Sequence, residues 1–167
     1  DMVAGPSEVS IVADKSSNPE WIASDLIAQA EHDVYAQSIL VSNSKELIKK
    51  VKTSITKQIK YLPKSKIASQ SLKRYGLAIY ASKLKTMQKI INEIAPEHLE
   101  ICIKKPKDFI KGINNAGSIF LGNYSPEAMG DYIAGPNHVL PTSGSAKFSS
   151  GLSVSDFLKR HSLIKIS

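Results

Sequence analysis

Gln37-Ser38-Ile39-Leu40-Val41-Ser42 is a short, nearly continuous apolar run. Strands that face water on one side alternate; a run of this kind is buried on both faces, as in a parallel sheet. Upstream, Glu8-Val9-Ser10-Ile11-Val12-Ala13 is rich in β-branched residues and reads as another strand. Between the two, Asn18-Pro19-Glu20 has the form of an N-cap, a first-turn proline and a first-turn acid. The helix it opens carries Ile22, Leu26, Ile27 and Ala30 on one side and is expected to end near His32.

The same alternation continues downstream. Ser44 can cap a helix with Leu47, Ile48, Val51, Ile55 and Ile59 at helical spacing, and Pro63 ends it. A further helix to about Tyr75, a strand over Leu77–Tyr80, a helix capped by Ser82, and a strand over Leu99–Ile103 follow. Pro106 opens a short helix, Ser118–Leu121 is a strand, and a helix is expected over Ser153–Arg160. Short strands regularly separated by helices predict an α/β fold, a mostly parallel sheet with helices on both faces. The arrangement is Rossmann-like but carries no GxGxxG and no phosphate loop. Ligands of such sheets are expected outside the carboxyl ends of the strands.

The 167 residues allow one full core. No apolar run approaches the ~20 residues of a membrane helix, and with neither a basic n-region nor an apolar h-region in residues 1–5, no signal peptide is expected. One cysteine, Cys102, leaves no internal disulfide and fits a cytoplasmic location. The net charge of +7 gathers between Lys45 and Arg74. A Lys-rich nucleic-acid-binding module is the alternative this raises. Lys dominates and few aromatic residues interleave, so solvated helix faces are the preferred reading, with neither nucleic acid nor membrane as partner.

Ser125–Thr142, SPEAMGDYIAGPNHVLPT, is dense in Gly and Pro but holds enough apolar residues to dock on a core. It is read as a functional loop, with Asp131 and His138 as its chemical candidates and Glu127 as structural. Gln29 and His32, three apart at a helix end, face one way. They can bind a divalent metal with a carboxylate such as Asp131, or simply satisfy the last carbonyls of the helix. Glu97 and His98 suit paired proton transfer if the chain turns after Pro96, or else form a solvated corner. Ser7 can hold a ligand or serve a turn.

Five ordered segments, AGPSEV, DLIAQAEHD, PEHLE, GSIFLGNYSPEAMGDYIAGPNHVLPT and KFSSGLSVSDF, together resemble histidinol dehydrogenase. The resemblance implies a zinc-dependent homodimer that oxidises L-histidinol through an aldehyde to L-histidine with NAD. It implies zinc ligands at Gln29, His32 and Asp131, and an acid–base pair at Glu97 and His98. It implies substrate contacts from Ser7, Gln29, His32, His98, Asp131 and His138. Family members are longer than this chain. The resemblance therefore also implies that the NAD-contacting part lies elsewhere, so no cofactor-binding residue is expected here. The fourth zinc ligand, a histidine, and a substrate-binding glutamate belong to a C-terminal tail that acts across the dimer. Residues 1–142 are expected to form the α/β domain and 143–167 an extension toward that tail. The isolated chain is expected to be inactive.

Overall fold

A computed structural model of the chain describes residues 5–166. Ala4 of the AGPSEV segment and the outer limits of the two expected units, residues 1–4 and 167, lie outside the described residues. Five strands, β1 (Glu8–Ala13), β2 (Gln37–Ser42), β3 (Gly76–Tyr80), β4 (His98–Cys102) and β5 (Ser118–Leu121), form one sheet in the order β3-β2-β1-β4-β5. All four pairings are parallel. The crossovers are α1 (Pro19–Ala30), the pair α2 (Lys45–Gln58) and α3 (Ser65–Tyr75), α4 (Leu84–Ile94) and the single-turn α5 (Pro106–Phe109). A sixth helix, α6 (Glu127–Tyr132), follows β5.

The central strands are apolar because both of their faces are covered. Val9, Ile11 and Leu40 meet Ile22, Ala23 and Leu26 of α1 and Leu47 and Val51 of α2. On the other face, Val12, Ile39, Val41, Leu99 and Ile101 meet Met87 and Ile91 of α4 and Phe109 of α5. Asn18 caps α1, its side-chain oxygen accepting from the Glu20 N–H at 2.8 Å, and Ser44 caps α2 through the Leu47 N–H at 3.2 Å. The lysines between Lys45 and Lys66 stand on exposed faces of α2, α3 and the turn between them. Among the described residues, no helix is long and apolar enough to cross a membrane.

Three expectations need correction. The helix after β3 starts at Leu84 with Lys83 at its cap position and no side-chain cap bond, so Ser82 does not cap it. The Ser125–Thr142 stretch is not wholly irregular, because its first part closes into α6. The helix expected over Ser153–Arg160 is only a 3₁₀ turn at Val154–Phe157, although Ser153 and Asp156 form a capping box. Val154, Phe157 and Leu158 are exposed, so no packed face supports a longer helix there.

Candidate active site

The residues proposed from the sequence converge, but at the amino ends of the strands. Ser7 precedes β1, and its carbonyl accepts from the Gln37 N–H at 3.0 Å, which fixes it at the start of the ladder. Gln29 lies in the last turn of α1, which runs back from the carboxyl edge of the sheet to its amino edge, and His32 lies in the turn just beyond it. Glu97 and His98 stand where the chain enters β4. Asp131 comes from α6 and His138 from the loop beyond it. These seven residues, with Glu127 and Tyr132, line one cavity of about 290 Å³. The expectation of a site outside the carboxyl ends is therefore corrected.

The turn required before Glu97 is present. Ala95 closes α4 at φ 50°, a left-handed conformation, and Pro96 follows. The Gly117 N–H donates to the Pro96 carbonyl at 2.9 Å and the Ser118 N–H to the Glu97 carbonyl at 2.8 Å, locking the corner against β5. A Cβ on Gly117 would lie 2.6 Å from the Glu97 carbonyl oxygen, so this approach needs glycine.

His98 Nδ1 lies 3.1 Å from the Glu8 carbonyl oxygen. A carbonyl only accepts, so Nδ1 carries the proton and Nε2 has a bare lone pair. Nε2 is buried without a hydrogen-bond partner among the described residues. Burial holds the imidazole below its ordinary pKa, against opposing effects from the Glu8 carbonyl and Asp131. The result is a neutral base in the wall of the cavity.

Glu97 Oε2 accepts from the Glu8 N–H at 2.9 Å and lies 3.6 Å from His98 Nδ1. Burial pushes its carboxyl up to about 7; the Glu8 N–H opposes this, while the charges of Glu8 and Asp131 add to it. Glu127 is likewise raised to about 7, by burial first and then by Asp131 and Glu97. Two carboxyls are thus poised to exchange protons near neutrality.

Gln29 is only 1 % exposed, and neither its amide oxygen nor its amide nitrogen has a partner among the described residues. Burying an unpartnered amide is costly, so a Gln29 amide in the same cavity wall as Asp131 and His32 suits a role as a ligand. The ligand atoms of His98, Glu127 and Asp131 also lie within 4.8 Å of one another. One amide oxygen, imidazole nitrogens and carboxylates are a donor set that suits a divalent cation. The residues present fit such a group.

Glu127, expected from the sequence to be structural, also lines the wall of the cavity. The signal was in the sequence: Glu127 and Asp131 are four apart, and on a helix they share a face. Tyr132 gave no comparable signal.

The chain matches the histidinol dehydrogenase family over residues 1–167. It belongs to that family. It is 52% identical over 164 residues to histidinol dehydrogenase of Listeria monocytogenes and 54% identical over 165 residues to that of Rhodopseudomonas palustris. These alignments cover 98% and 99% of this chain but 38% of each relative. The crystal structure of histidinol dehydrogenase from Elizabethkingia anophelis superposes with a TM-score of 0.92 at 41% identity, over 95% of this chain and 36% of that one. The chain thus spans well under half the length of these relatives.

Proposed function

We propose that this chain is the catalytic-site portion of a zinc- and NAD-dependent dehydrogenase that oxidises L-histidinol through the aldehyde to L-histidine, working as a cytoplasmic homodimer. The observation that carries the proposal is the cavity at the amino edge, which Gln29, His98 and Asp131 line together and beside which the Gln29 amide and His98 Nε2 have no partner among the described residues. Gln29, His32 and Asp131 would hold the zinc, which supplies Lewis acidity toward an alcohol or amine bound beside it. Ser7 and His138 would orient the substrate.

His98 takes the hydroxyl proton at Nε2 in each oxidation, and the Glu8 carbonyl keeps its other nitrogen protonated throughout. A neutral imidazole in a desolvated wall accepts that proton without first having to lose one. Glu97, with its carboxyl near 7, accepts a proton from the water that attacks the aldehyde. The Glu8 N–H holds one of its oxygens in place, so the other is left for water. Hydride acceptance belongs to NAD, and no cofactor-binding residue is assigned to this chain. The isolated chain, with only part of the ligand set, is proposed to be inactive.

The test joins this chain to the flanking segments that its relatives carry and measures histidinol-dependent NADH formation. Turnover that disappears in His98→Asn and falls in Glu97→Gln supports the reading. Undiminished turnover in His98→Asn sinks it.

A further inference from the structure

Glu100 stands in the middle of β4 and is 1 % exposed. Alternation along the strand puts it on the same face as His98, two residues earlier. A carboxyl in the centre of a sheet core is costly unless something there needs it. What needs it is α6. The helix begins at Glu127, whose N–H is a first-turn donor with no acceptor inside its own helix. The residue at the cap position is Pro126, which has no side-chain acceptor to offer. Glu100 Oε1 takes the Glu127 N–H at 2.8 Å, and both residues are buried.

One turn on, Gly130 of α6 rests on the ring of Phe120, where a Cβ would meet ring carbons at 2.7 Å. Phe120 is the β5 residue in register with Glu100. The helix is therefore held against adjacent strands at two points, one polar and one apolar. It carries Glu127 and Asp131 into the cavity between them.

We infer that Glu100 is a positioning residue, a cap supplied to α6 by a neighbouring strand, which sets where Glu127 and Asp131 stand relative to His98. The cap itself stands on the geometry alone; its consequence for metal and substrate rests on the proposed function. Burial and the nearby charge of Asp25 on α1 push the Glu100 carboxyl well above the usual range. A neutral acid with one oxygen toward Glu127 and its other side toward Asp25 has the shape and polarity of an amide. Gln should replace it; an apolar side chain of similar length should not.

Amide hydrogen exchange on this chain, with Glu100→Gln and Glu100→Met, tests the cap. In Glu100→Met the Glu127 amide is expected to exchange at least about tenfold faster, while β1 and β2 keep their protection. In Glu100→Gln it is expected to stay within about threefold of the parent chain. Unchanged protection of Glu127 in a folded Glu100→Met overturns the inference. If Glu100→Met loses protection everywhere, Glu100→Gln decides: retained protection at Glu127 supports the cap, and selective loss there overturns it. Cobalt(II) titration separates the two levels. Weaker binding in Glu100→Met than in Glu100→Gln supports the cap together with its consequence for the cavity. The expected exchange pattern with no cobalt bound by any of the three chains supports the cap and counts against the metal reading only.

Discussion

At the carboxyl end of β1, Asp14 Oδ1 accepts from the Ser16 N–H at 2.8 Å and its hydroxyl at 2.5 Å, while Oδ2 accepts from the Lys104 N–H at 3.0 Å. Ser17 donates to the Cys102 carbonyl, and Asn18 is used up in capping α1. At the amino end of the same sheet, the Gln29 amide and His98 Nε2 are buried with no partner among the described residues, and Glu97 and Glu127 crowd one another. Both ends are rich in Asp, Ser, Asn and Lys or Glu, Gln and His. The difference is that one end consumes its polar groups internally and the other keeps them in reserve. A site in this fold is recognised by unspent hydrogen-bonding capacity rather than by polar composition or by which end of the strands it occupies.

The sharpest way to break this contrast is to disable each end in turn in the chain joined to its relatives' flanking segments. His98→Asn should lower turnover by at least about 100-fold, the usual worth of a positioned base. Lys15→Ala at the opposite end should stay within about twofold of the parent in the same NADH assay, since surface substitutions rarely matter. Comparable losses at both ends would erase the distinction.

Stability should respond with opposite signs. Gln29→Leu removes two unpartnered buried atoms and should stabilise the fold by about 1–3 kcal/mol while weakening zinc binding at least about tenfold. Asp14→Ala strips three donors of their acceptor and should destabilise by about 1–3 kcal/mol without touching zinc affinity. Urea unfolding and calorimetric zinc titration read the two quantities. Gly130→Ala drives a methyl into the Phe120 ring and should cost about 1–3 kcal/mol, displacing α6. The same titration should show weaker zinc.

The smallest expected effect is in pH dependence. The Glu97 carboxyl ionises near 4.5 when unfolded and near 7 when folded. Between those values the unfolded chain has given up a proton that the folded chain retains, so stability falls as pH rises through that window and levels off above it. Asp14 behaves in the reverse sense. Burial raises its carboxyl, but the bonds from Ser16 and Lys104 outweigh this and leave it below 3.8. Its stabilising share is present above that pH and lost as pH falls through the folded value. Glu97→Gln should flatten the fall between 4.5 and 7, and Asp14→Asn the acid limb, in thermal melts across pH.

Most of the sheet was legible in advance because buried parallel strands must be apolar on both faces, and QSILVS and EVSIVA cannot be much else. Caps with a clear side-chain acceptor, Asn18 and Ser44, were legible too. Ser82 was not, since a serine near a helix start caps only if its oxygen reaches the first-turn amides. The 153–160 helix failed because propensity and a capping box do not hold a turn whose apolar side has nothing to lie against. The site lies at the opposite edge of the sheet from the one that the loops after strands point to. The correct signal was available: Gln29 and His32 lie at and just past the end of a crossover helix, and the end of a crossover helix returns to the amino edge. Glu100 could not be recognised, because its role depends on a helix that starts 27 positions later.

The contact between His98 and the Glu8 carbonyl also bears on how this site tolerates change over generations. The acceptor is a main-chain oxygen, which every amino acid supplies. Replacing Glu8 alters the carboxylate that holds the Ser143 N–H, yet leaves the oxygen that decides which imidazole nitrogen is bare. The tautomer of the base is therefore encoded by the path of β1 and not by any letter of the sequence. Comparing homologous sequences column by column would show no trace of it, and no single side-chain exchange at position 8 could delete it.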